Sequence, residues 1–499
     1  MPSSDRVCHY RGTHRPPSPQ HEQSGLHQTH LSVMEGHHMK YGLQDLPLDI
    51  LGQTEHINRL YTQITLCFPV RVITPSTRAD IIGNLEKGLA RLSKNFPWIS
   101  GEVVRNDNVF SITSTDSASG LVVKELQDDA TVPTWDELKQ ADFPFSMFDE
   151  GVVAPCKTIV DPDSKRPVLL AQANFVKGGL LLTFNAQHGS MDMAGQAQVV
   201  TLFAKTCRGE DFTKDEVEIG NMQRTNRIPV PDHTILGAPD SPNTEPQEVI
   251  QDVGANAKPR EAQPSAPSHD LVWAYLDFPA PSLSSLKKLA SHPLASDVTF
   301  VSTDDVLSAF IWRSITRARH PRLGSPESTK TTLTRNVDVR RHLDLPPTYP
   351  GLMTTATSHT YSVDDIINQR SLGAIASDLR RALTPDSLRN SAETQAGTIA
   401  RSKGAAAQRS IAVLSNPSFD VRLSSWAKEK LYYLDFGPCL GQPEAVRRPM
   451  FTNGAREGLV YFLPKGRDGS IVVGICLREE DMERLRMDRE VLQWSAWIG

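Results

Sequence analysis

Two periods run through the hydrophobic positions of the chain, and each predicts one kind of element. Apolar residues that alternate with polar ones predict strands, and apolar residues that recur every three or four positions predict helices. In the first half they predict strands at 61–68, 168–175 and 179–184, short strands within 101–125, and helices at 75–96 and around 199–203. In the second half they predict strands at 271–276, 459–463 and 471–477, and helices from Ser282, at 302–317 and from Glu480. Strands and helices therefore mix throughout, which predicts an α/β fold of the mixed α+β kind.

Two stretches of the chain lack either period. Residues 1–38 are rich in His, Pro, Ser and Gln, and residues 210–268 carry many prolines among Asp, Glu, Asn and Ser. We interpret the first as a disordered tail and the second as a mostly extended crossover linker. A length of 499 residues fits two domains, which we place at 39–209 and 269–499.

Composition and charge exclude several classes of function. The chain has 39% hydrophobic and 22% charged residues, which is typical of soluble globular proteins, and its net charge of -5 gives no attraction to nucleic acid or anionic membranes. No run of about 18 apolar residues is present, and the amino terminus lacks an apolar signal segment. The six cysteines are scattered without metal-ligand spacing. We therefore expect a cytoplasmic protein with no metal, no nucleic-acid partner and no membrane association.

His188 is the first candidate for chemistry, because it follows a predicted strand in the run His-Gly-Ser-Met-Asp that ends at Asp192. A neutral imidazole can accept the proton of an alcohol at about pH 7 as the oxygen attacks a carbonyl carbon. The spacing alone is a weak signal, since Asp192 could equally cap the following helix. The sequence contains no motif for a covalent serine or cysteine mechanism and none for binding nucleotide phosphates.

A second group of motifs lies far downstream. It comprises Ser424, Ser425 and Trp426, then Asp435, Phe436 and Gly437, and then Pro443 to Arg448. The Asp-Phe-Gly run is known from kinases, but the other kinase motifs are missing. From the residues alone it is interpreted as a turn in which Phe436 is buried and Asp435 bonds the backbone.

Together and in this order, the motifs resemble those of the BAHD acyltransferases, and more closely those of their fungal branch, the trichothecene 3-O-acetyltransferases. The resemblance runs from about Leu46 to the carboxyl terminus. It is carried by His188 and Asp192, by Asp435–Gly437 with Pro443–Arg447, by Val337–Arg340 with Pro346, Pro347 and Tyr349–Gly351, and by Glu480–Met482. It implies two chloramphenicol-acetyltransferase-like domains, each a mixed sheet flanked by helices, with a solvent channel between them and His188 midway along it.

The resemblance also implies a reaction. An acyl group passes directly from acyl-CoA, most simply acetyl-CoA, to a hydroxyl of a small secondary metabolite such as a terpenoid, polyketide or alkaloid. His188 is the implied general base, no cofactor is permanently bound, and we expect a monomer.

Further roles follow from the same resemblance. Asp192 is expected to form a structural ion pair with Arg340, and Asp435, Phe436 and Gly437 are expected to be structural. A donor must stabilise the tetrahedral oxyanion, and the segment just before the Asp-Phe-Gly run supplies the candidates for contacting substrate or the oxyanion: Ser424, Ser425 and Trp426. The candidates for contacting CoA phosphates are Lys428, Lys430, Arg447 and Arg448, each of which could instead be an ordinary surface charge.

Two departures from the plant motifs limit what can be transferred. The tryptophan that follows the plant Asp-Phe-Gly run is missing from the segment between Gly437 and Gly441, so its role cannot be carried over. Met193 stands where a glycine often follows the motif aspartate, and Gly195 comes two residues later.

Three alternatives stay open. An amine acceptor would make the chain an N-acyltransferase with the same site. Condensation enzymes of peptide assembly share the fold, although their motif normally begins with two histidines and Gln187 precedes His188 here. A non-catalytic binding protein is the third alternative, and the intact His188 and Asp192 disfavour it. Asp192 could also act as a polarising partner of His188 rather than as a structural residue.

Overall fold

The computed structural model describes residues 30–31, 45–115, 120–230, 270–291, 294, 297–401 and 416–499. The strands are β1 (His30–Leu31), β2 (Leu46–Pro47), β3 (Tyr61–Pro69), β4 (Glu102–Asn106), β5 (Val109–Thr113), β6 (Leu121–Glu125), β7 (Leu169–Val176), β8 (Gly179–Gln187), β9 (Leu271–Phe278), β10 (Lys330–Asp338), β11 (Thr354–Ser362), β12 (Val421–Ser425), β13 (Ala445–Arg447), β14 (Leu459–Phe462), β15 (Ile471–Arg478) and β16 (Ala496–Ile498). The helices are α1 (Glu55–Asn58), α2 (Pro75–Asn95), α3 (Trp135–Gln140), α4 (Glu150–Val153), α5 (Met193–Cys207), α6 (Lys214–Gly220), α7 (Ala280–Ala290), α8 (Thr303–Arg319), α9 (Leu372–Arg381), α10 (Pro385–Arg401), α11 (Glu479–Arg486) and α12 (Arg489–Trp494). Short 3-10 turns lie at Ile50–Gly52, Pro97–Ser100, Phe145–Met147, His320–Arg322, Arg340–His342 and Leu431–Tyr433, and a π-helical turn lies at Asp365–Gln369.

Two large mixed sheets, one for each half of the chain, form the frame of the molecule. The first has the strand order β1-β6-β7-β8-β3-β13 and the second the order β11-β10-β12-β14-β15-β9-β16, while β2, β5 and β4 form a small third sheet. Strand β13 comes from the second half but pairs with β3 of the first sheet, where Val446 lies opposite Leu66. The two halves are thereby joined by backbone hydrogen bonds close to β8, the strand that leads to His188.

Helix α2 shows how the local sequence sets these elements. The hydroxyl of Thr74 accepts a hydrogen bond from the backbone N–H of Thr77 at 3.1 Å, and Pro75 occupies the first helical turn, where its missing N–H costs nothing. Ile81 and Leu85 are fully buried on the helix face that packs against the first sheet. Burial of each such side chain stabilises the fold by about 1.5–3 kcal/mol. The predicted helix at 75–96 is confirmed.

Strand β8 is buried along its whole length and carries the candidate catalytic loop at its end. It pairs with β3 on one side and with β7 on the other. Even its polar residues Thr183, Asn185 and Gln187 are fully buried. A central strand that is covered on both faces has little freedom to move, so it is a rigid support for the residue that follows it.

The structure corrects the predicted conformation of two segments, the amino-terminal tail and the linker. Within residues 1–38, His30–Leu31 form β1 and pair with Val122 and Val123 of β6, so the prediction of a disordered tail is wrong for these two residues. The other residues of that range lie outside the described part of the chain. Within the predicted linker, α6 has a capping box formed by Thr213 and Glu216, so this segment is helical rather than extended. Residues 231–269 also lie outside the described part. Among the described residues, no helix has both the length and the apolar character needed to cross a bilayer.

Candidate active site

His188 lies directly after β8 in a tightly bonded loop. The side chain of Gln187 accepts a hydrogen bond from the backbone N–H of Ser190 at 2.7 Å and donates to Asn58 Oδ1 at 3.0 Å. Gly189 leaves no room for a side chain, because a Cβ there would lie 2.3 Å from Asn58 Oδ1. These contacts define the path of the loop and therefore the position from which His188 projects.

The imidazole of His188 is arranged as a neutral base. Its Nδ1 lies 3.3 Å from the carbonyl oxygen of Met191 and 3.2 Å from the hydroxyl oxygen of Thr62. Because a carbonyl oxygen can only accept, we assign the proton to Nδ1, which leaves the lone pair on Nε2 free. Burial lowers the pKa of His188 below its ordinary value, and the Asp192 carboxylate offsets only part of this effect. The ring is therefore neutral at about pH 7 and ready to accept a proton at Nε2.

The Asp192 carboxylate forms a buried, bidentate ion pair with Arg340. Its Oδ1 lies 2.8 Å from Nη2 and its Oδ2 lies 3.0 Å from Nη1. The carboxylate also accepts from the backbone N–H groups of Gly195 and Met353, both at 2.9 Å, and from the hydroxyl of Thr354 at 3.0 Å. Desolvation alone would raise the pKa of Asp192, but the Arg340 charge and these donors prevail and lower it. The carboxylate is thus occupied by donors other than the imidazole, and its influence on His188 is electrostatic.

Asp192 is also the N-cap of α5, so both interpretations of its position in the sequence hold together. The helix approaches the segment around Pro350 so closely that a Cβ on Gly195 would lie 2.1 Å from the Pro350 carbonyl oxygen. Arg340 donates to the carbonyl oxygens on either side of Pro350, those of Tyr349 at 2.8 Å and Gly351 at 2.6 Å. Gly195 therefore permits the close approach of α5 to the segment around Pro350. Through this segment and Arg340, the second half of the chain contacts the loop that carries His188.

A second buried pair, Asp49 and Arg224, supports the same loop and was not predicted from the sequence. Arg224 Nη1 lies 3.4 Å from Asp49 Oδ2 and also donates to the backbone carbonyl oxygen of Ser190. The hydroxyl of Tyr349 donates to Asp49 Oδ1 at 2.6 Å. Burial raises the pKa of Asp49, and the charge of Arg224 opposes that rise. No motif marks this pair, because its members are 175 residues apart in the sequence.

The Asp-Phe-Gly turn lies at the other end of α5. Asp435 Oδ1 accepts from the backbone N–H of Gly437 at 2.8 Å, and Phe436 is fully buried with its ring edge-on to Phe68 at 5.3 Å. Gly437 has φ of +84°, and a Cβ there would lie 2.9 Å from the carbonyl oxygen of Cys207. Since α5 runs from Met193 to Cys207, a length of about 22 Å at 1.5 Å per residue, this turn lies far from His188.

The three candidates for contacting substrate or the oxyanion differ in what they already bind. Ser425 donates its hydroxyl proton to Asp304 Oδ2 at 2.5 Å, so it does not fit the predicted donor role. Ser424 accepts from the Trp426 indole N–H at 3.1 Å, which leaves its own proton for another acceptor. Trp426 is 4% exposed and packs on the ring of Tyr461 at 5.2 Å. The structure therefore favours Ser424 over Ser425.

The four candidate CoA contacts also separate. Lys428 and Lys430 are exposed. Arg447 and Arg448 are only 5% and 3% exposed, so neither is a surface charge. Arg447 is bonded to the protein itself: it donates to the carbonyl oxygens of Phe143, Asp142 and Val446 and to the hydroxyl of Tyr432. With its donors so occupied, Arg447 is a structural cation and does not fit the predicted role in binding CoA phosphates.

Glu429 is a titratable group beside the ion pair that no sequence motif marks. Burial raises the pKa of its carboxyl to about 7, the charge of Asp192 raises it further, and Arg340 opposes the rise. Glu429 is therefore partly protonated near neutral pH, although a glutamate in this part of the sequence looks like an ordinary surface residue.

Comparison with known proteins places this site in a family. Residues 60–207 match the family model of the trichothecene 3-O-acetyltransferase-like N-terminal domain. The trichothecene 3-O-acetyltransferase of Fusarium sporotrichioides is 42% identical over 466 residues, which cover 91% of this chain and 97% of that protein. The O-acetyltransferase dmxR13 of a Cryptosporiopsis species is 40% identical over 464 residues, which cover 91% of this chain and 97% of that protein.

The same relationship is seen in three dimensions. The crystal structure of the Fusarium sporotrichioides enzyme complexed with coenzyme A and T-2 matches this chain with a TM-score of 0.80 at 40% identity, covering 92% of this chain and all of that one. The predicted mixed α/β fold and the predicted family are thereby confirmed. The chain belongs to the trichothecene 3-O-acetyltransferase-like family and is a CoA-dependent O-acyltransferase.

Proposed function

We propose that the chain transfers the acetyl group of acetyl-CoA to a hydroxyl of a small secondary metabolite, with His188 as the general base. The neutral, half-buried imidazole of His188 carries this proposal. Its Nδ1 is held by the Met191 carbonyl and its Nε2 is free to take a proton. General base catalysis of this kind contributes about 10²–10⁴ to a rate.

In the proposed reaction the acceptor alcohol and the acetyl-CoA thioester meet beside the imidazole of His188. The alcohol gives its proton to Nε2 while its oxygen attacks the thioester carbon, and the carbonyl electron pair moves onto the oxygen. When this pair returns, the C–S bond breaks, and the CoA thiolate leaves and takes the proton from Nε2. Asp192 keeps the loop in place, and Ser424 is the hydroxyl that donates to the negative oxygen.

The acceptor is an alcohol rather than an amine or an aminoacyl group. The relatives that are about 40% identical are O-acetyltransferases, and one family crystal structure contains deoxynivalenol beside coenzyme A. Gln187, where condensation enzymes normally carry a first histidine, is buried in the loop and bonded to Ser190 and Asn58. These contacts support an acyltransferase site that has no use for a second histidine.

The proposal extends to the surroundings of the site. Lys428 and Lys430 follow Trp426 and are exposed, so they are the proposed contacts for CoA phosphates. We also propose that the site opens to a solvent channel between the two halves. The protein would act as a cytoplasmic monomer without a membrane or nucleic-acid partner.

Acetyl transfer to deoxynivalenol tests the function directly. Purified protein is mixed with acetyl-CoA and deoxynivalenol, the thiol released is measured with a chromogenic disulfide, and the product is identified by mass spectrometry. We expect a product that carries one added acetyl group, and almost none with His188→Ala. Equal transfer by the wild type and by His188→Ala would contradict the proposal. So would the absence of transfer to deoxynivalenol and to a panel of terpenoid, polyketide and alkaloid alcohols.

A further inference from the structure

Two consecutive buried arginines, Arg447 and Arg448, have opposite environments. Arg447 is bonded to the protein through carbonyl and hydroxyl oxygens. Arg448 is 3% exposed, and within the described residues its guanidinium has no hydrogen-bond or ion-pair partner, with Nε buried and unpaired. A buried charge without a partner is costly, so its presence points to a negative group that the protein itself does not supply.

Aromatic rings hold the guanidinium of Arg448 without neutralising it. Its central carbon lies 4.2 Å from the ring centroid of Phe451, 4.4 Å from that of Tyr461 and 5.9 Å from that of Trp426. Such contacts attract a cation to the ring faces but supply no negative charge to pair with it. The hydroxyl of Tyr275 accepts from the Arg448 backbone N–H at 3.1 Å and lies 3.2 Å from its carbonyl oxygen. The cation is therefore fixed in place, as a preorganised site for negative charge requires.

The strand pairing brings Arg448 towards His188. Strand β13 ends at Arg447, which lies opposite Thr65 of the antiparallel strand β3. Thr62, three residues earlier on β3, contacts the imidazole of His188 at 3.2 Å. After burial, the charged groups that act on the pKa of His188 are Asp192, which raises it, and Arg448 and Arg422, which lower it.

Resting on the proposed function, we propose that Arg448 stabilises the negative charge that forms on the thioester oxygen during acyl transfer. As the alcohol oxygen bonds to the thioester carbon, the electron pair of the C=O bond moves onto the carbonyl oxygen of the thioester. In this proposal that carbonyl oxygen faces the unpaired guanidinium. The pair then returns, the C–S bond breaks, and the same cation attracts the CoA thiolate until it takes the proton from His188. This role differs from binding CoA phosphates, because the phosphates lie many bonds from the sulfur, at the far end of the pantetheine arm.

The experiment compares Arg448→Met and Arg448→Lys with the wild type, using acetyl-CoA and acetyl-pantetheine, a thioester without phosphates. Each is assayed by thiol release, with deoxynivalenol as acceptor and with water alone. We expect Arg448→Met to lower kcat about 10²-fold with both thioesters, as removal of an oxyanion donor does. Its KM for acetyl-CoA should change less than about threefold.

A pH profile separates an electrostatic role from a structural one. Loss of the positive charge should move the apparent pKa in kcat/KM to higher pH, since His188 then protonates more readily. Arg448→Lys keeps the charge and should keep this pKa while losing part of kcat. Arg447→Met is the matched control: it removes a buried arginine from the same segment and should lower the unfolding temperature without moving the pKa.

Each outcome decides the matter. Wild-type kcat in Arg448→Met overturns the inference. A loss that appears only with acetyl-CoA, and as a raised KM, shows phosphate binding and overturns it as well. If the Met variant does not fold, Arg448→Gln takes its place as the neutral variant, and wild-type kcat in Arg448→Gln overturns the inference. If the wild type releases thiol with neither acceptor, the proposed function fails first and the inference falls with it.

Discussion

The ion pair between Asp192 and Arg340 gives a prediction whose magnitude follows from its contacts. Asp192→Ala removes the partner of a buried guanidinium, which costs about 3–5 kcal/mol, and an N-cap, which costs about 1 kcal/mol. Arg340 would keep one carboxylate, because Asp338 Oδ1 lies 2.9 Å from Nη1, although the Asp338 side chain is 48% exposed. We therefore expect the stranded charge to cost about 3 kcal/mol, the lower end of its range. With the lost N-cap, the free energy of unfolding should fall by about 4 kcal/mol in all.

The reverse change, Arg340→Ala, leaves the Asp192 carboxylate buried with only neutral donors. Gly195, Met353 and Thr354 still donate to it, but the charge is no longer compensated, and we again expect a loss of about 4 kcal/mol. In the double variant neither charge is stranded. It should lose about 5–6 kcal/mol rather than the sum of about 8, a coupling of about 2–3 kcal/mol.

The assay is denaturant unfolding of the four proteins, followed by acetyl transfer at the same pH. Asp338→Ala is the control, because it removes the exposed partner of the same arginine and should cost at most about 1 kcal/mol. Because the pKa of Asp192 is lowered, its stabilisation is present above the unfolded pKa of about 3.9 and is lost only as the pH falls through the folded value. Asp192 itself therefore adds no pH dependence to the coupling between about pH 5 and pH 8, and a change within that range would come from Glu429, whose carboxyl titrates near pH 7 beside the pair. Additive losses, or an Asp192→Asn protein with wild-type stability and no activity, would refute this reasoning and favour a direct partnership with His188.

Three further predictions follow from the same structure. His188→Ala should stay folded and lose transfer activity by about 10²-fold or more. The wild-type kcat/KM should rise with pH through an apparent pKa below about 6.5. Near-normal turnover by the pure variant, or a higher apparent pKa in the wild type, would count against a neutral base. Glu429→Gln should stabilise the protein at pH 8 by about 1–3 kcal/mol and have little effect near pH 4. The reason is that a carboxyl whose folded pKa is raised to about 7 destabilises the fold only where the same carboxyl is ionised in the unfolded chain. Equal unfolding midpoints for the variant and the wild type at both pH values would rule this out. Deletion of residues 1–38 removes only the two paired residues of β1 from the described fold, so kcat/KM should not change and the melting temperature should fall slightly; a large loss of either would show a structural role for this segment.

Elements with a strong hydrophobic period were predictable, and polar ones were not. Strands β7 and β8 and helices α2 and α8 were predicted within a few residues, because their buried side chains follow one period. Strand β10 was missed because Arg335 occupies a core-facing position, 3% exposed and bonded to Asp305 at 3.0 Å. A charged residue at such a position interrupts the alternation that marks a strand. Strands β11 and β12 and helices α9 and α10 were missed as well.

The candidate site was predictable only where a motif carried the chemistry. His188, Asp192 and Arg340 were identified by the family resemblance, and the structure brings Asp192 and Arg340 into direct contact. The different environments of Arg447 and Arg448 were not predictable, because adjacent arginines look alike in the sequence. What separates them is the set of carbonyl oxygens that surrounds one and the aromatic rings that surround the other, and these come from distant segments.

The catalytic loop explains why these distant contacts are needed. The loop must leave the Nε2 of His188 unbonded, so the imidazole can help to hold the loop only through its Nδ1 contacts. Stability then has to come from its neighbours, and two buried arginines supply it: Arg340 through Asp192, and Arg224 through the carbonyl oxygen of Ser190. Both are tied to the segment around Tyr349, Arg340 directly and Arg224 through Asp49. Loss of either arginine should therefore disturb the same loop, through Asp192 in one case and through Ser190 in the other, while the base itself can be removed with little effect on the fold.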